Sequence, residues 1–488
     1  DLTQTIGTKH AMPTILHTVT DASKDFFAFR YPGYQLSRFE HQFGKTIFYL
    51  QPTGDPICPR CGQPCHKVHD RTEREVRDMP LSHAGEQLYV RFRIRRVRCS
   101  CGCHQCEQLS WLEPKARLTN AMVGWIQALL RLRLPIADVV RYCNVSWDTV
   151  KTYDKIQLQH LFGQVDLDGV EHLLIDEFAV HKGHKYATVI MDAVERKVLW
   201  VGMGKTRKSV QPFFDLLAQQ NRSHQIKSVS CDMNAAYPSM VRDHLPNATI
   251  IYDLFHVMKN FTQDVLRVAK TKSLQDCKKR ILIRQAELKQ KKGADQSIRT
   301  QRECEDLQRQ LDGLNLSIKH FNGAEWLMVR QESSLGENAK KRLEMLRQDN
   351  QLLADLYPIA DMIRTIWKTR NLQDSKHLIK TTRLLLLQIA RTHDFKPAKR
   401  FAMMLTYRMD GIMHAGRFGF NTARLEGANN KIKVIKRVAF GYQDMQYFFL
   451  KIKAALPGIH FSPWTKFSPG EAFLKSGQIW KCCFPANS

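Results

Sequence analysis

Two kinds of chemistry-bearing residue stand out in this 488-residue sequence: acids set into apolar runs, and cysteines crowded into one short region. The stretch HLLIDEFAVHKGHKYATVIMDAV, residues 172–194, is rich in strand-forming residues, yet its most apolar part carries Asp176 and Glu177. A buried carboxylate is costly unless it is paired or holds a metal. Side chains alternate between faces along a strand, so at most one of these acids faces what the strand was built to serve. A second apolar run, IKSVSCDMN, ends at Asp232. In NTARLEGANNKIKVIKRV, Glu426 is followed by Asn429, Asn430, Lys431, Lys433, Lys436 and Arg437. A carboxylate beside an amide pair and a basic run suits a metal site next to a DNA backbone.

Seven of the 13 cysteines fall between Cys58 and Cys106. In a chain without the layout of an export signal, such clustering points to a bound metal and a reducing, cytosolic compartment rather than to disulfides. CPRCG sets Cys58 and Cys61 at zinc-ligand spacing, and RVRCSCGCHQC supplies the second pair. Cys99 and Cys106 are the expected second pair, with Cys101 and Cys103 as alternatives. Four thiolates hold Zn²⁺ tetrahedrally and replace the core that a small module cannot build. Between the clusters, LYVRFRIRRV alternates like a half-buried strand whose outer face is arginine, which offers Arg95 and Arg96 to DNA.

Several domains are needed to position these residues, because 488 residues exceed one comfortable core. Apolar spacing predicts helices over 120–132, 136–143 and 147–158, the last capped by Ser146. Short helices joined by such a turn suit a helix-turn-helix whose second helix enters the major groove, with Ser146, Trp147, Thr149 and Lys151 facing DNA. From residue 170 the period changes, and the expected order is βββ-α-β-α-β-α, that of a ribonuclease-H-like fold. In that fold Asp176 faces the site from the central strand, Glu177 faces away, and Asp232 ends a neighbouring strand. Residues 262–416 read as helix almost throughout, including a charged, leucine-spaced hairpin. GMGKT lacks the earlier glycine of a phosphate loop, Leu199 standing in its place, so nucleotide binding is excluded there.

The expected architecture is therefore multidomain α+β. It comprises a leader (1–40), a zinc ribbon (41–115), a helix-turn-helix (116–165) and the first part of an α/β catalytic core (166–265). An all-helical insertion (266–415) interrupts that core before a closing helix with the third acid (416–455) and a tail (456–488). Lys+Arg at 74 against Asp+Glu at 47 gives +27, which implies a polyanionic partner, nucleic acid before membrane. No apolar run approaches the ~20 residues of a bilayer span.

At this level the motifs resemble a known family. IDEFAVHKGHKYATVIMD, VSCDMNAAYPSMVRDHLPNATIIYDLFHVMK and NTARLEGANNKIKVIKRVAFGYQDMQYFFLKI, in this order, look like the bacterial insertion-sequence transposases of the ISL-three type. The cysteine region and the helix-turn-helix resemble the DNA-binding half of the same family. The resemblance implies a DDE triad of Asp176, Asp232 and Glu426 on a ribonuclease-H-like core, with Asp253 and His256 of YDLFH in support. It also implies two Mg²⁺ (or Mn²⁺) ions roughly 3.5–4 Å apart, with Asp176 bridging both, beside a structural Zn²⁺. The implied activity is cleavage of DNA at the element ends and joining of the freed 3′-hydroxyls to target DNA. The implied partners are double-stranded terminal inverted repeats, target DNA and further copies of the chain in a dimer or larger synaptic complex, in the bacterial cytoplasm at the nucleoid. Two rivals are a catalytically inactive DNA-binding regulator and a structure-specific nuclease on the same fold. The presence of all three acids opposes the first, and the two recognition modules oppose the second.

Overall fold

The computed structural model describes residues 15–17, 21–81, 86–181, 185–233, 236–292, 297–418 and 423–459. The chain divides into two units: Asp1–Gln164 with Lys436–Lys451 and Phe461–Ser488, and Val165–Ile435 with Ile452–His460.

Alternating apolar residues build the sheet of the first unit. Its elements are β1 (Ile15–His17), α1 (Asp21–Arg30), β2 (Tyr34–Gln42), β3 (Lys45–Pro52), β4 (Val68–Asp78), β5 (Gln87–Arg98) and β6 (His104–Cys106). The strand order is β1-β2-β3-β5-β4, with β6 added to β5. Only β3 and β5 run parallel. Of the expected leader, Phe27, Tyr31, Tyr34 and Leu36 pack with Phe48, Val90, Phe92 and Trp111 in the core of this sheet, while residues 1–14 and 18–20 lie outside the described residues. These aromatics are few and irregularly spaced, so no period announces them. Asp78 is fully buried, and its carboxylate accepts from Arg30 at 3.0 Å, from Tyr31 and from the Thr119 hydroxyl. A buried acid so fully paired joins sheet to helix cap without an orphaned charge.

β5 also corrects an expectation. Its alternation breaks at Arg95, which is buried and holds Glu107 through three contacts of 2.6–3.1 Å. The buried Glu107 carboxylate requires a countercharge, so Arg95 is committed inside the module while Arg96 is exposed.

Three helices follow: α2 (Asn120–Arg131), α3 (Ile136–Cys143) and α4 (Trp147–Phe162), close to the predicted bounds. Met122, Ile126, Leu130, Val139, Cys143 and Val150 form their shared core. Thr119 caps α2 by accepting from the Met122 amide, and Ser146 caps α4 by accepting from the Thr149 amide. Asp154 of α4 is buried and accepts from Tyr447 and from Lys451 at 2.9 Å, so the 436–451 segment locks onto this helix within the same unit.

In the second unit the predicted order appears as β7 (His172–His181), β8 (Lys185–Asp192), β9 (Val198–Met203), α5 (Arg207–Gln219), β10 (Ser228–Cys231), α6 (Ala236–His244), β11 (Thr249–Tyr252) and α7 (Leu254–Asn260). The sheet order is β11-β10-β7-β8-β9. β7, β10 and β11 are parallel, whereas β8 and β9 return antiparallel. On α5, Val210, Phe213, Phe214 and Leu217 recur at three and four residues and bury against Leu173, Ile175 and Val229 of the sheet.

After a π-helical turn at Phe261–Leu266 come α8 (Arg267–Lys292), α9 (Ile298–His320), α10 (Ala324–Leu327), α11 (Glu337–Asp349), α12 (Gln351–Lys368), α13 (Leu372–Thr392), α14 (Lys396–Tyr407), α15 (Met409–Met413) and α16 (Ala415–Phe418). α8 packs on α9 as the predicted hairpin, and Leu353, Leu356, Ile363 and Leu386 anchor the rest. α17 (Ala423–Val438) and α18 (Met445–Ala455) close the described chain. Residues 456–459 pair with the β8–β9 turn, Ile459 donating to the Glu195 carbonyl at 3.0 Å, and the rest of the expected tail lies outside the described residues. Among the described residues, no helix is long and apolar enough to cross a membrane.

Candidate active site and metal centre

Strand register builds the carboxylate site. Ile175 of β7 pairs with Cys231 of β10, and Cys231 pairs with Tyr252 of β11. The next residue along each strand is an aspartate, so Asp176, Asp232 and Asp253 stand in a row across three adjacent parallel strands. Strand spacing alone would hold such acids about 5 Å apart at the carboxyl edge of a parallel sheet, where ligands of open α/β sheets bind. Asp253 is buried and caps α7, accepting from the Phe255 amide at 2.8 Å. One turn later His256 stands among the acids. Its Nδ1 lies 3.3 Å from Asp232, and its Nε2 lies 3.8 Å from both Asp176 and Asp253. Burial pulls the His256 pKa down, but the Asp176, Asp232 and Asp253 carboxylates outweigh it and hold the pKa raised.

Asp176 has a further partner. Asn429 of α17 donates to its Oδ2 at 2.6 Å, while the Asn429 Oδ1 is buried and makes no hydrogen bond. Asn429, expected at DNA, is thus turned to the central acid instead. Glu426 lies just under one turn earlier on α17, and its side chain lies outside the described residues. Asp176 and Asp232 keep 18% and 29% of their side chains exposed, open enough to admit a ligand. Two open carboxylates beside an orphaned amide oxygen form a hard, oxygen-only donor set, which fits Mg²⁺. Glu177 faces the other side, as predicted, where the Tyr237 hydroxyl donates to it at 3.0 Å and Lys205 lies 3.4 Å away.

The aspartate row has a signal in the sequence that went unread. HLLID, SVSCD and TIIYD are three apolar runs each followed by an aspartate, Asp176 within β7 and Asp232 and Asp253 just past β10 and β11, and only the register makes them equivalent. The Asn429 contact has no such signal, because it spans 253 residues.

The thiol centre is compact. The sulfurs of Cys58, Cys61, Cys99 and Cys101 all lie within 4.8 Å of one another, and among the described residues this is the one group of three or more metal-ligating side chains so closely gathered. Cys58 and Cys101 are 3.7 Å apart, and Cys61 and Cys99 are 3.6 Å apart. Sulfurs at 2.3 Å from a tetrahedral zinc would be about 3.8 Å apart. The residues therefore fit the ion, with Cys101 rather than Cys106 as the fourth ligand. Two turns explain this choice. Gly62 and Gly102, at φ +72° and +79°, allow the chain to fold back immediately after Cys61 and Cys101. Cys106 instead sits on β6 opposite Arg96, and Cys103 is buried beside the cluster.

Of the residues expected at DNA, Ser146 and Trp147 are exposed at the start of α4. Thr149 is half-buried and bonded to Ser146, and Lys151 lies 5.1 Å from the Trp147 ring centre. On α17, Lys433 and Arg437 are exposed, while Lys431 and Lys436 are half-buried.

Comparison with known proteins agrees along the chain. A transposase family profile of the ISL3 type matches residues 173–452, more than half of the sequence. The helix-turn-helix domain of transposase family ISL3 matches residues 107–155. The zinc-finger of transposase IS204/IS1001/IS1096/IS1165 matches residues 55–103, ending short of Cys106. The transposase for insertion sequence element IS1001 of Bordetella parapertussis is 34% identical over 440 residues, 87% of this chain and 96% of that protein. The transposase for IS1557 of Mycobacterium tuberculosis is 22% identical over 417 residues, 83% and 88% of the two chains. The Drosophila P element transposase strand transfer complex matches 68% of this chain and 91% of its own at 12% identity and a TM-score of 0.33, too slight a likeness to carry an argument. With a matching profile over the acids, two more over the recognition modules and a full-length relative, the chain belongs to the ISL3 family of DDE transposases.

Proposed function

We propose that this transposase binds the terminal inverted repeats of its insertion sequence, cleaves DNA at the element ends and joins the 3′-hydroxyl ends to target DNA. The reading is supported above all by the row of aspartates, with Asp176 and Asp232 partly exposed on neighbouring strands and α17 anchored to Asp176 through Asn429. Sheet order and direction support a ribonuclease-H-like core, and residues 266–415 are then its all-helical insertion. Asp176, Asp232 and Glu426 serve as the triad.

Each residue has a distinct task in this scheme. Asp176, hydrogen-bonded to Asn429, would hold catalytic Mg²⁺ together with Asp232 and Glu426. Bound there, Mg²⁺ would supply activation of a water or 3′-hydroxyl and stabilisation of the leaving oxygen. His256, braced by Asp253, orients Asp232. Lys433 and Arg437 bind backbone phosphates. The exposed start of α4 reads the terminal repeat, with Arg96 adding phosphate contacts from the zinc module. Holding two DNA ends together requires a dimer or larger synaptic complex, working on the bacterial nucleoid in the cytoplasm.

The test is a cleavage assay on labelled DNA carrying the ends that flank this gene, comparing wild type with Glu426→Gln in Mg²⁺ and with the metal omitted. Metal-dependent nicking at the element boundary by wild type alone is expected. Binding without cleavage under every condition would favour the regulator instead, and cleavage at DNA structures regardless of the ends would favour the nuclease.

A further inference from the structure

A cavity of about 650 Å³ opens in the second unit, with Tyr252, the residue before Asp253, in its wall. Its lining includes Arg242 of α6, Tyr252 at the end of β11, Lys399, Arg400 and Tyr407 of α14, and Arg408, the cap of that helix. Four cations and no acid line it, and none of the four forms an ion pair with another described residue. Uncompensated charges gathered round a concave site attract an anion. Tyr407 is 80% exposed at the rim, a large aromatic face turned to solvent. Tyr252 is fixed in the wall: the Arg408 guanidinium sits 5.1 Å over its ring, and a Cβ on Gly411 would come within 2.5 Å of its edge.

The cavity's place in the fold says what anion it meets. Tyr252 immediately precedes Asp253, and its strand partner Cys231 immediately precedes Asp232. Cations alone would suit any phosphate. An exposed aromatic beside them adds a stacking platform, and only an unpaired base presents a free face to it. The volume is within the range of small-ligand sites, ample for one nucleotide. We infer that this cavity holds a nucleotide of a single-stranded DNA segment next to the active site, its phosphates on Arg242, Lys399 and Arg400 and its base stacked on Tyr407. The inference rests on the reading of the aspartate row as a DNA-cutting centre, and it adds a strand-binding subsite to that centre.

The experiment is a fluorescence titration of the full-length, zinc-loaded protein without added Mg²⁺, using a single-stranded oligonucleotide carrying 2-aminopurine and the matching duplex. Wild type should quench the probe in the single strand. Tyr407→Ala should weaken single-strand binding about tenfold and abolish the quench, while Tyr407→Phe keeps both. Lys399→Ala with Arg400→Ala should lower the slope of log affinity against log salt by about 1.4, at roughly 0.7 per lost contact. Since Tyr407 is exposed, an unchanged melting temperature would separate these effects from misfolding. Binding and quench that survive Tyr407→Ala would overturn the inference. So would displacement of the oligonucleotide by a free deoxynucleoside triphosphate at equal concentration, which would make this a small-molecule site. No cleavage is involved, so failure of the cutting assay with the quench intact would count against the catalytic reading alone.

Discussion

In the zinc module, four sulfurs from two glycine-ended turns lie in pairs 3.6–3.7 Å apart, already at the spacing of a tetrahedral site. In the carboxylate site, three aspartates stand on separate parallel strands, with the His256 ring among them. The first arrangement is closed and local, with its ligands fixed by two short hairpin turns. The second is open and assembled from segments far apart in the chain, with Asn429 reaching Asp176 across 253 residues. A structural ion belongs in the first, because every coordination position is filled by protein. A catalytic ion would suit the second, because exposed oxygens leave room for water and phosphate.

This contrast predicts its largest effect at the thiols. Structural zinc contributes on the order of 10 kcal/mol or more to such modules. Cys101→Ser should therefore release zinc and unfold the ribbon, whereas Cys106→Ser should keep both, as read by a colorimetric zinc assay and thermal unfolding. The reverse pattern would restore Cys106 as the ligand. At the acids, Asp176→Asn or Asp232→Asn should leave folding and DNA binding intact but slow cleavage about a thousandfold, the equivalent of several kcal/mol of lost metal stabilisation.

Arginine sharpens the comparison within the first unit. Arg95→Ala leaves Glu107 buried without its countercharge and should cost about 3–5 kcal/mol of stability, measured by denaturant unfolding. Arg96→Ala, at an exposed position, should change stability by no more than about 0.5 kcal/mol. Its effect should appear as a duplex-binding salt slope lower by about 0.9. Asn429→Ala, which frees the Asp176 rotamer and removes the orphaned oxygen, should act on the metal rather than on stability. Mg²⁺ affinity, followed by calorimetric titration, should fall about 10- to 100-fold.

Legibility in the sequence follows the same divide. Local patterns were readable: the period change at residue 170, the helix cap at Ser146, and the Cys58–Cys61 turn all appear as predicted. The second cysteine pair was ambiguous because several thiols share one short stretch, and only the turn at Gly102 selects Cys101. Arg95 misled because an alternating strand gives no notice of a phase break, and its partner Glu107 lies beyond the strand's end. Residues 21–40 were hidden because their aromatics gain meaning only against Trp111 and Phe92. The aspartate row needed register, and the Asn429 contact needed the whole tertiary fold.

The central claim, that Asp176 and Asp232 converge on a catalytic metal with α17, has a direct test. Fe²⁺ would replace Mg²⁺ in the zinc-loaded protein, ascorbate and peroxide would be added, and the sites of backbone cutting would be mapped by mass spectrometry. Fragments ending near residues 176, 232 and 426–429 are expected, suppressed by excess Mg²⁺ and lost in Asp176→Asn. Cuts confined to the cysteine module, or unchanged in Asp176→Asn, would contradict it.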